Sequence, residues 1–338
     1  MLKVSPLVSI VIASYNYGDL IEKRIESFLN QTYENVEIII LDDCSTDDSR
    51  DVIENFRSNN RIRIIYNNEN LGWIKNSNLG ISLAKGEFVL FGNCDDVASR
   101  DLIENLVRPL SEDKMLGVSF CESELIDYFG NQIGSDRDSR DRKFIHSTQS
   151  DCRIEGVEMA SFLSHSCVIP NLSAALFRRE ALALTEGFST RYSICSDWNL
   201  FIELSLKWDF FYIRKPLNKF RQHKKNVRSS VTEIALSSQI IELLFETSLD
   251  GRLKFRVRRM FRKRSFVLFL LHYVIHNKKA IGLRYLFQIN NSRDCQMIIY
   301  ASCAAVIELI VVFITFVERI VRLPRRKQSF SVRSRIKR

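Results

Sequence analysis

Several features that would announce a function are missing from this sequence. The eight cysteines show no CxxC spacing and no regular framework, which argues against a zinc or disulfide scaffold and reads as eight free thiols in a reducing compartment. No GxxxxGK[ST] loop occurs, and the stretch IASYNYGDL has no Lys or Arg, so neither a P-loop nor the basic phosphate loop of a nucleotidyltransferase is indicated. The start, MLKVSPLVSIVIASYN, has too short an apolar run for a secretory signal, because Ser14 and Asn16 interrupt it; a cytoplasmic body is expected. No internal repeat is visible. The basic C-terminal region lacks a spaced recognition motif with interleaved aromatics, which argues against a nucleic-acid partner.

What is present is a chain of 338 residues, 46% apolar and 26% charged, as expected of a globular protein with a sizeable core. Its net charge of +9 conceals a division. Gly251 to Arg338 holds 21 Lys and Arg against 3 Asp and Glu, while the preceding residues hold 28 against 37. An acidic body carrying a basic tail suggests a polyanionic partner for the tail.

Over the first 120 residues short apolar runs alternate with helical patterns. Leu7–Ala13, Val36–Leu41, Arg61–Tyr66 and Glu87–Phe91 read as strands. Helices are expected over Asp19–Asn30, after a cap at Ser45 or Thr46, over Gly72–Ala84, and from Ser99 toward Pro109. Strands spaced by helices specify βαβ units and a mostly parallel sheet flanked by helices. Glu122–Asp151 is polar and reads as a mobile loop. Beyond it come helices near Glu155–Leu163, Arg179–Leu184 and Asp197–Leu206, with strand-like stretches at Leu172–Phe177, Phe210–Ile213 and Leu217–Arg221.

In such sheets ligands bind beyond the carboxyl ends of the strands. The polar groups there are Ser14-Tyr15-Asn16, Asp42-Asp43, Asn67–Asn70 and Asn93–Asp96, and all four loops open at one edge. Adjacent carboxylates such as Asp95 and Asp96 repel each other unless a cation lies nearby. A Mg²⁺ or Mn²⁺ ion commonly uses one or two carboxylates plus substrate phosphates, so an acid pair and a diphosphate suit each other.

The segments VSIVIASYN, VEIIILDDCSTDDS, NLGWIKNSNLGISLAKGEFVLFGNCDD, NLSAALFRREAL, SDWNLFIEL and FRQHKKN, in this order, resemble family 2 glycosyltransferases over roughly residues 6 to 228. The resemblance implies a GT-A fold and transfer of a sugar from a nucleotide diphosphate to an acceptor hydroxyl, with inversion at the anomeric carbon. It implies that Ala13 and Tyr15 flank the base and that Asp43 hydrogen-bonds uracil or its equivalent. Asp95 is implied to contact ribose or sugar, with Asn70 also on the donor side. Asp96 is implied as the metal ligand, Asp197 as general base, and His223 as a group near the diphosphate or metal, with Arg221 close by. Divalent Mn²⁺ or Mg²⁺ is the implied cofactor.

Two departures stand out: Asn93 replaces the first acid of an Asp-x-Asp-Asp pattern, and Ser196 precedes Asp197 where Glu is usual. They motivate an alternative, a non-catalytic sugar-nucleotide-binding subunit; nucleotidyl transfer is the other rival. Singly, Asp95-Asp96 also reads as helix N-terminal acids, Asp43 as a turn residue, Asp197 as a helix cap, Tyr15 as packing and His223 as part of a solvated basic loop.

The expected organisation is a catalytic domain over 1–240, its nucleotide-binding half 1–120 and acceptor half 121–240, followed by a basic, partly apolar helical region over 241–338. Phe266–Ile275 is too short to span a bilayer, whereas Met297–Val317 has spanning length interrupted by Glu308. Basic residues flank both ends, so in-plane docking on an anionic membrane surface is preferred over a simple span. The enzyme would then sit on the cytoplasmic side of the inner membrane as a peripheral protein, acting on a glycan or lipid-linked saccharide.

Overall fold

The computed structural model describes residues 5–223 and 231–276. The strands β1 (Val8–Ser14), β2 (Val36–Asp42), β3 (Ile62–Tyr66) and β4 (Phe88–Phe91) lie parallel in the order β3-β2-β1-β4. Between them run α1 (Gly18–Leu29), α2 (Ser49–Glu54) and α3 (Trp73–Leu83). The strands are almost uninterrupted in apolar residues because both faces are covered. Val8, Ile10 and Ile12 pack with Ile21, Ile25 and Phe28 of α1 on one face. Val11, Ile39 and Leu41 pack with Ile74 on the other, the alternation a strand imposes.

The chain continues through β5 (Val97–Ala98), α4 (Leu102–Glu112), β6 (Leu116–Ile126), β7 (Gln132–Ser135), α5 (Arg142–Ser147), β8 (Cys152–Ile154) and α6 (Gly156–Leu163). Then come β9 (Ala175–Arg178), α7 (Arg179–Ala183), α8 (Ser196–Ser205), β10 (Asp209–Arg221), α9 (Glu233–Leu249) and α10 (Phe255–His276). The sheet extends from β4 through β9, β6 and β10 to β5. β9 is antiparallel to both neighbours, and β6 and β10 are parallel to each other. Most strands therefore share one direction, as the alternating pattern predicts.

The strand ends are aligned. Ser14 pairs with Asp42, and Asp42 with Tyr66. Asp43 N–H donates to the Ser14 carbonyl, Asn67 N–H to that of Asp42, and Gly92 N–H to that of Val11. The loops that follow all leave from this edge.

Several expectations change. Glu122–Asp151 is not an irregular loop: it contains β7 and α5, because Arg140 is buried against Asp136 at 2.9 Å and Arg137 pairs with Glu122. Neither Ser45 nor Thr46 caps α2, which starts only at Ser49; Ser45 N–H instead donates to Asp42 Oδ1 and its hydroxyl accepts from Asn16 N–H. Pro109 lies inside α4 rather than beyond it. Phe210–Ile213 and Leu217–Arg221 form one strand whose register shifts around Pro216, since Pro cannot donate to the ladder.

The first compact unit runs to Leu268, so a boundary at 240 falls inside α9. Ile241, Leu244 and Phe245 of α9 and Val257 and Phe261 of α10 belong to the buried core. Cys44, Cys94, Cys121 and Cys152 are free thiols. Among the described residues no helix is long and apolar enough to cross a membrane. Met297–Val317, the basic end, Cys295 and Cys303 lie outside the described residues.

Candidate active site

The turn after β2 is organised by carboxylates. Asp42 Oδ1 accepts from Arg50 Nε at 2.7 Å and from Ser45 N–H at 3.1 Å. Asp43, 2% exposed, accepts from Asn67 Nδ2 at 2.8 Å, Leu71 N–H at 2.9 Å and Gly72 N–H at 2.8 Å. Gly72 has φ +81°, a conformation glycine adopts without steric cost, and this aims its N–H at the acid. Asn70 is exposed and its Oδ1 also accepts from Gly72 N–H. Asp43 thus shapes the Asn67–Gly72 loop, a larger internal role than its expected contact with a base. At the end of β1, Ala13 is half-buried with its carbonyl accepting from Cys94 Sγ, and Tyr15 is 43% exposed.

The turn after β4 divides its two acids. Asp96 is 1% exposed, and both its oxygens are engaged: Oδ1 by Arg221 N–H at 3.0 Å, Oδ2 by Asn171 Nδ2 at 2.8 Å. Burial first, then the neighbouring Asp95 charge, raises its carboxyl above the usual range, against the pull of Arg24, Ser173 and Asn171. Asp95 Oδ2 instead meets His223 Nε2 at 2.9 Å. Tyr17 and Tyr128 each approach the His223 ring edge-on, with centroids 6.2 Å away. Both Asp96 oxygens thus accept hydrogen bonds from within the fold, and the acid hydrogen-bonded to His223 is Asp95. Among the described residues no three His, Cys, Asp or Glu side chains form a ready-made metal cluster.

Arg24 lies beneath this turn. It is 0% exposed, and none of its guanidinium nitrogens has a hydrogen-bond partner. Its charge sits 4.1 Å over the Phe28 ring, a favourable cation–π placement. Burial draws its pKa down to about 10, while Asp96 and Asp95 act in the opposite direction. A side chain at Gly92 would meet the Phe28 ring at 2.7 Å and Arg24 Nε at 3.2 Å, so glycine lets this cation reach the acids. The repulsion of adjacent carboxylates is offset from below by a built-in positive charge.

Asp197 sits in the first turn of α8, half-buried, with Oδ1 accepting from Trp198 N–H at 2.7 Å. The segment leading to it is tied to the start of α3: Trp73 Nε1 donates to the Ser193 carbonyl at 3.3 Å, and Trp73 packs edge-on against Phe188. Trp198 is anchored in the core through Nε1 to the Leu163 carbonyl. Asp43 thus follows β2, and Asp95 and Asp96 follow β4, the two strands that flank β1, and Asp197 is linked to the Asp43 loop through Trp73.

The profile of "Glycosyl transferase family 2" matches residues 9–182, more than half of the chain, from within β1 to within α7. The chain belongs to this family. It is 41% identical over 109 residues to the Escherichia coli UDP-Glc:alpha-D-GlcNAc-diphosphoundecaprenol beta-1,3-glucosyltransferase WfaP, covering 32% of this chain and 43% of that protein. Among solved structures it resembles Staphylococcus aureus TarS 1–349 in complex with UDP-GlcNAc, with TM-score 0.63, 14% identity and coverage of 83% and 78% of the two chains. It also resembles the Pyrobaculum calidifontis mannosyltransferase PcManGT in complex with GDP-Man and Mn²⁺, with TM-score 0.55, 15% identity and coverage of 92% and 87%. These two likenesses establish the GT-A fold. The chain spans between 33% and 54% of the length of the first four curated relatives it matches.

Three residues frame this family 2 site; Asn171 and Arg24 carried little signal in the sequence, and Arg221 was placed there only as a neighbour of His223. Asn171 links the acid turn to the segment before β9: its Nδ2 donates to Asp96, and its Oδ1 accepts from Asn93 Nδ2 and Ser173 N–H. Asn93, the uncharged departure from the acidic pattern, is thereby a structural partner. Arg221 contacts the acids through its backbone N–H to Asp96 and its Nε to the Asp95 carbonyl, while Nη1 donates to the Asp127 and Tyr128 carbonyls. Arg24 could have been found as a charge on the apolar stripe of α1, between Ile21 and Ile25.

Proposed function

We propose that the chain is an inverting glycosyltransferase that moves a sugar from a nucleotide diphosphate, a UDP-sugar being favoured, to an acceptor hydroxyl. Its place is lipopolysaccharide, O-antigen or capsule assembly, as a peripheral protein at the cytoplasmic face of the inner membrane, with a glycan or lipid-linked saccharide as acceptor. The observation that carries this reading is the Asp95–His223 pair at 2.9 Å at the end of β4, at the same sheet edge as the Asp43-organised loop that follows β2 on the other side of β1. The activity of WfaP, with UDP-Glc as donor and a GlcNAc-diphosphoundecaprenol acceptor, supports a UDP-sugar donor and a lipid-diphosphate-linked acceptor. The complexes of TarS and PcManGT support a nucleotide sugar as ligand, and that of PcManGT supports Mn²⁺.

The side chains fit a divalent cation. Mn²⁺ or Mg²⁺ is often held by one or two protein groups, with substrate phosphate oxygens completing the shell; Asp95 offers a hard oxygen and His223 an imidazole nitrogen. When bound, the cation would offset negative charge on the departing diphosphate. Asp96, fixed by Asn171 and Arg221, braces the turn that presents Asp95. Asp43 holds the loop that receives the nucleotide. Asp197 accepts the acceptor's hydroxyl proton as that oxygen bonds to the anomeric carbon. The bond from that carbon to the diphosphate oxygen breaks on the opposite face, and the nucleoside diphosphate leaves with the electron pair.

The test is a transfer and donor-hydrolysis assay over UDP- and GDP-sugars, with and without Mn²⁺. Metal-stimulated release of nucleoside diphosphate is expected. Donor binding with no turnover over a broad acceptor panel would instead make the chain a binding subunit, and no donor binding at all would overturn the reading.

A further inference from the structure

The helix α10 (Phe255–His276) is basic, and no Asp or Glu occurs from Gly251 to Arg293. Its apolar stripe is already used. Val257, Phe261 and Ser265, spaced by four residues, are 4%, 0% and 2% exposed against the body, and Ser161 Oγ reaches Met260 Sδ. The general expectation that an apolar helix face enters the bilayer therefore fails for this side of α10.

The opposite side is different. Arg256, Arg259 and Lys263 recur at helical spacing on the outward face and are exposed. None of them has an ion-pair partner among the described residues. Other surface arginines do: Arg252 pairs with Glu203 and Asp250, and Arg191 with Glu242 and Glu246. On the same outward face stand Phe255, 72% exposed, and Val267, 39% exposed. Cations without counter-charges, flanked by a bare aromatic and a bare aliphatic side chain, match the chemistry of an anionic bilayer surface. The cations would lie at the headgroups, and Phe255 and Val267 would enter the acyl boundary. Nucleic acid would satisfy the charges but leave Val267 without a partner.

We infer that the Phe255–Arg256–Arg259–Lys263–Val267 face of α10 is a docking surface for an anionic lipid bilayer. The inference rests on the proposed function only in that a lipid-borne acceptor gives docking a purpose. Vesicle binding needs no donor, so its failure and a failure of the transfer assay are separate results.

The experiment is co-sedimentation of the full chain with phosphatidylcholine vesicles and with mixed phosphatidylcholine–phosphatidylglycerol vesicles. The wild type is expected to bind only the mixed vesicles and to be released by salt. Combined Arg256→Gln, Arg259→Gln and Lys263→Gln should weaken that binding about a hundredfold, taking roughly 1 kcal/mol per cation and tenfold per 1.4 kcal/mol. Phe255→Ser should weaken it less, and Arg252→Gln, which removes a paired cation, should hardly change it. These positions are exposed, and an unchanged melting curve confirms intact variants. Equal binding to neutral vesicles, wild-type partitioning by the triple variant, or tighter binding to a DNA or RNA oligonucleotide than to mixed vesicles would each overturn the inference.

Discussion

At the end of β2 the acids Asp42 and Asp43 are both consumed by the fold, with Ser45, Arg50, Asn67, Leu71 and Gly72 donating to them. At the end of β4 only one acid of the pair is consumed. Asp96 takes Asn171 and the backbone of Arg221, while Asp95 is left for His223. Arg24 supplies the lower turn with a buried positive charge that has no hydrogen-bond partner, whereas at the upper turn the cation, Arg50, bonds its acid directly. A carboxylate with two or three internal donors is architecture. In the proposed function, the carboxylate whose neighbour is braced and whose own partner is an imidazole is the one offered to the cation.

The largest expected effect lies outside both turns. Asp197→Asn should retain donor binding and lower transfer by roughly a hundred- to ten-thousand-fold, the range for a positioned general base; normal turnover in a steady-state assay would remove it from that role. Next, Asp96→Ala should destabilise the fold by about 3–5 kcal/mol, because it leaves buried donors and the Arg24 charge uncompensated. Asp95→Ala should leave denaturant midpoints close to wild type. Equal losses in a urea titration would erase the distinction drawn between the two acids.

Asp43→Ala should cost about 1–3 kcal/mol through the stranded N–H groups of the Asn67–Gly72 loop, with weaker nucleotide affinity measured by calorimetry. An unchanged dissociation constant would leave it a purely structural acid. Smallest is Arg24→Met. An apolar side chain of similar length fits beside Phe28 but removes the charge that faces Asp95 and Asp96, so the melting temperature should fall slightly, while metal-dependent donor affinity falls several-fold. An unchanged melting temperature together with an unchanged affinity would show that the guanidinium does not balance the charge of the acid turn.

Much of this was legible in the residues. The strands β1 to β4, their connecting helices and the shared edge followed from short apolar runs broken by polar turns, since burial on both faces leaves that pattern. The acid positions were legible for the same reason. Their division of labour was not, because it depends on Asn171 and Arg221, which arrive from segments about 75 and 125 residues further along the chain. The order in Glu122–Asp151 was hidden too: GSDRDSRDRK looks solvated, yet Arg140 and Asp136 form a pair whose side chains are each 1% exposed. Arg24 was visible as a charge on an apolar helix face, but only Gly92 and Phe28 explain how it is accommodated.

The most direct measurement is Mn²⁺-dependent binding of a UDP-sugar, followed by calorimetry on wild type, Asp95→Asn and Asp96→Asn, each first shown to be folded. Asp95→Asn is expected to abolish the metal-dependent part of the affinity and Asp96→Asn to keep a substantial share of it. The opposite result, metal dependence lost in Asp96→Asn and intact in Asp95→Asn, would put the metal on Asp96 instead.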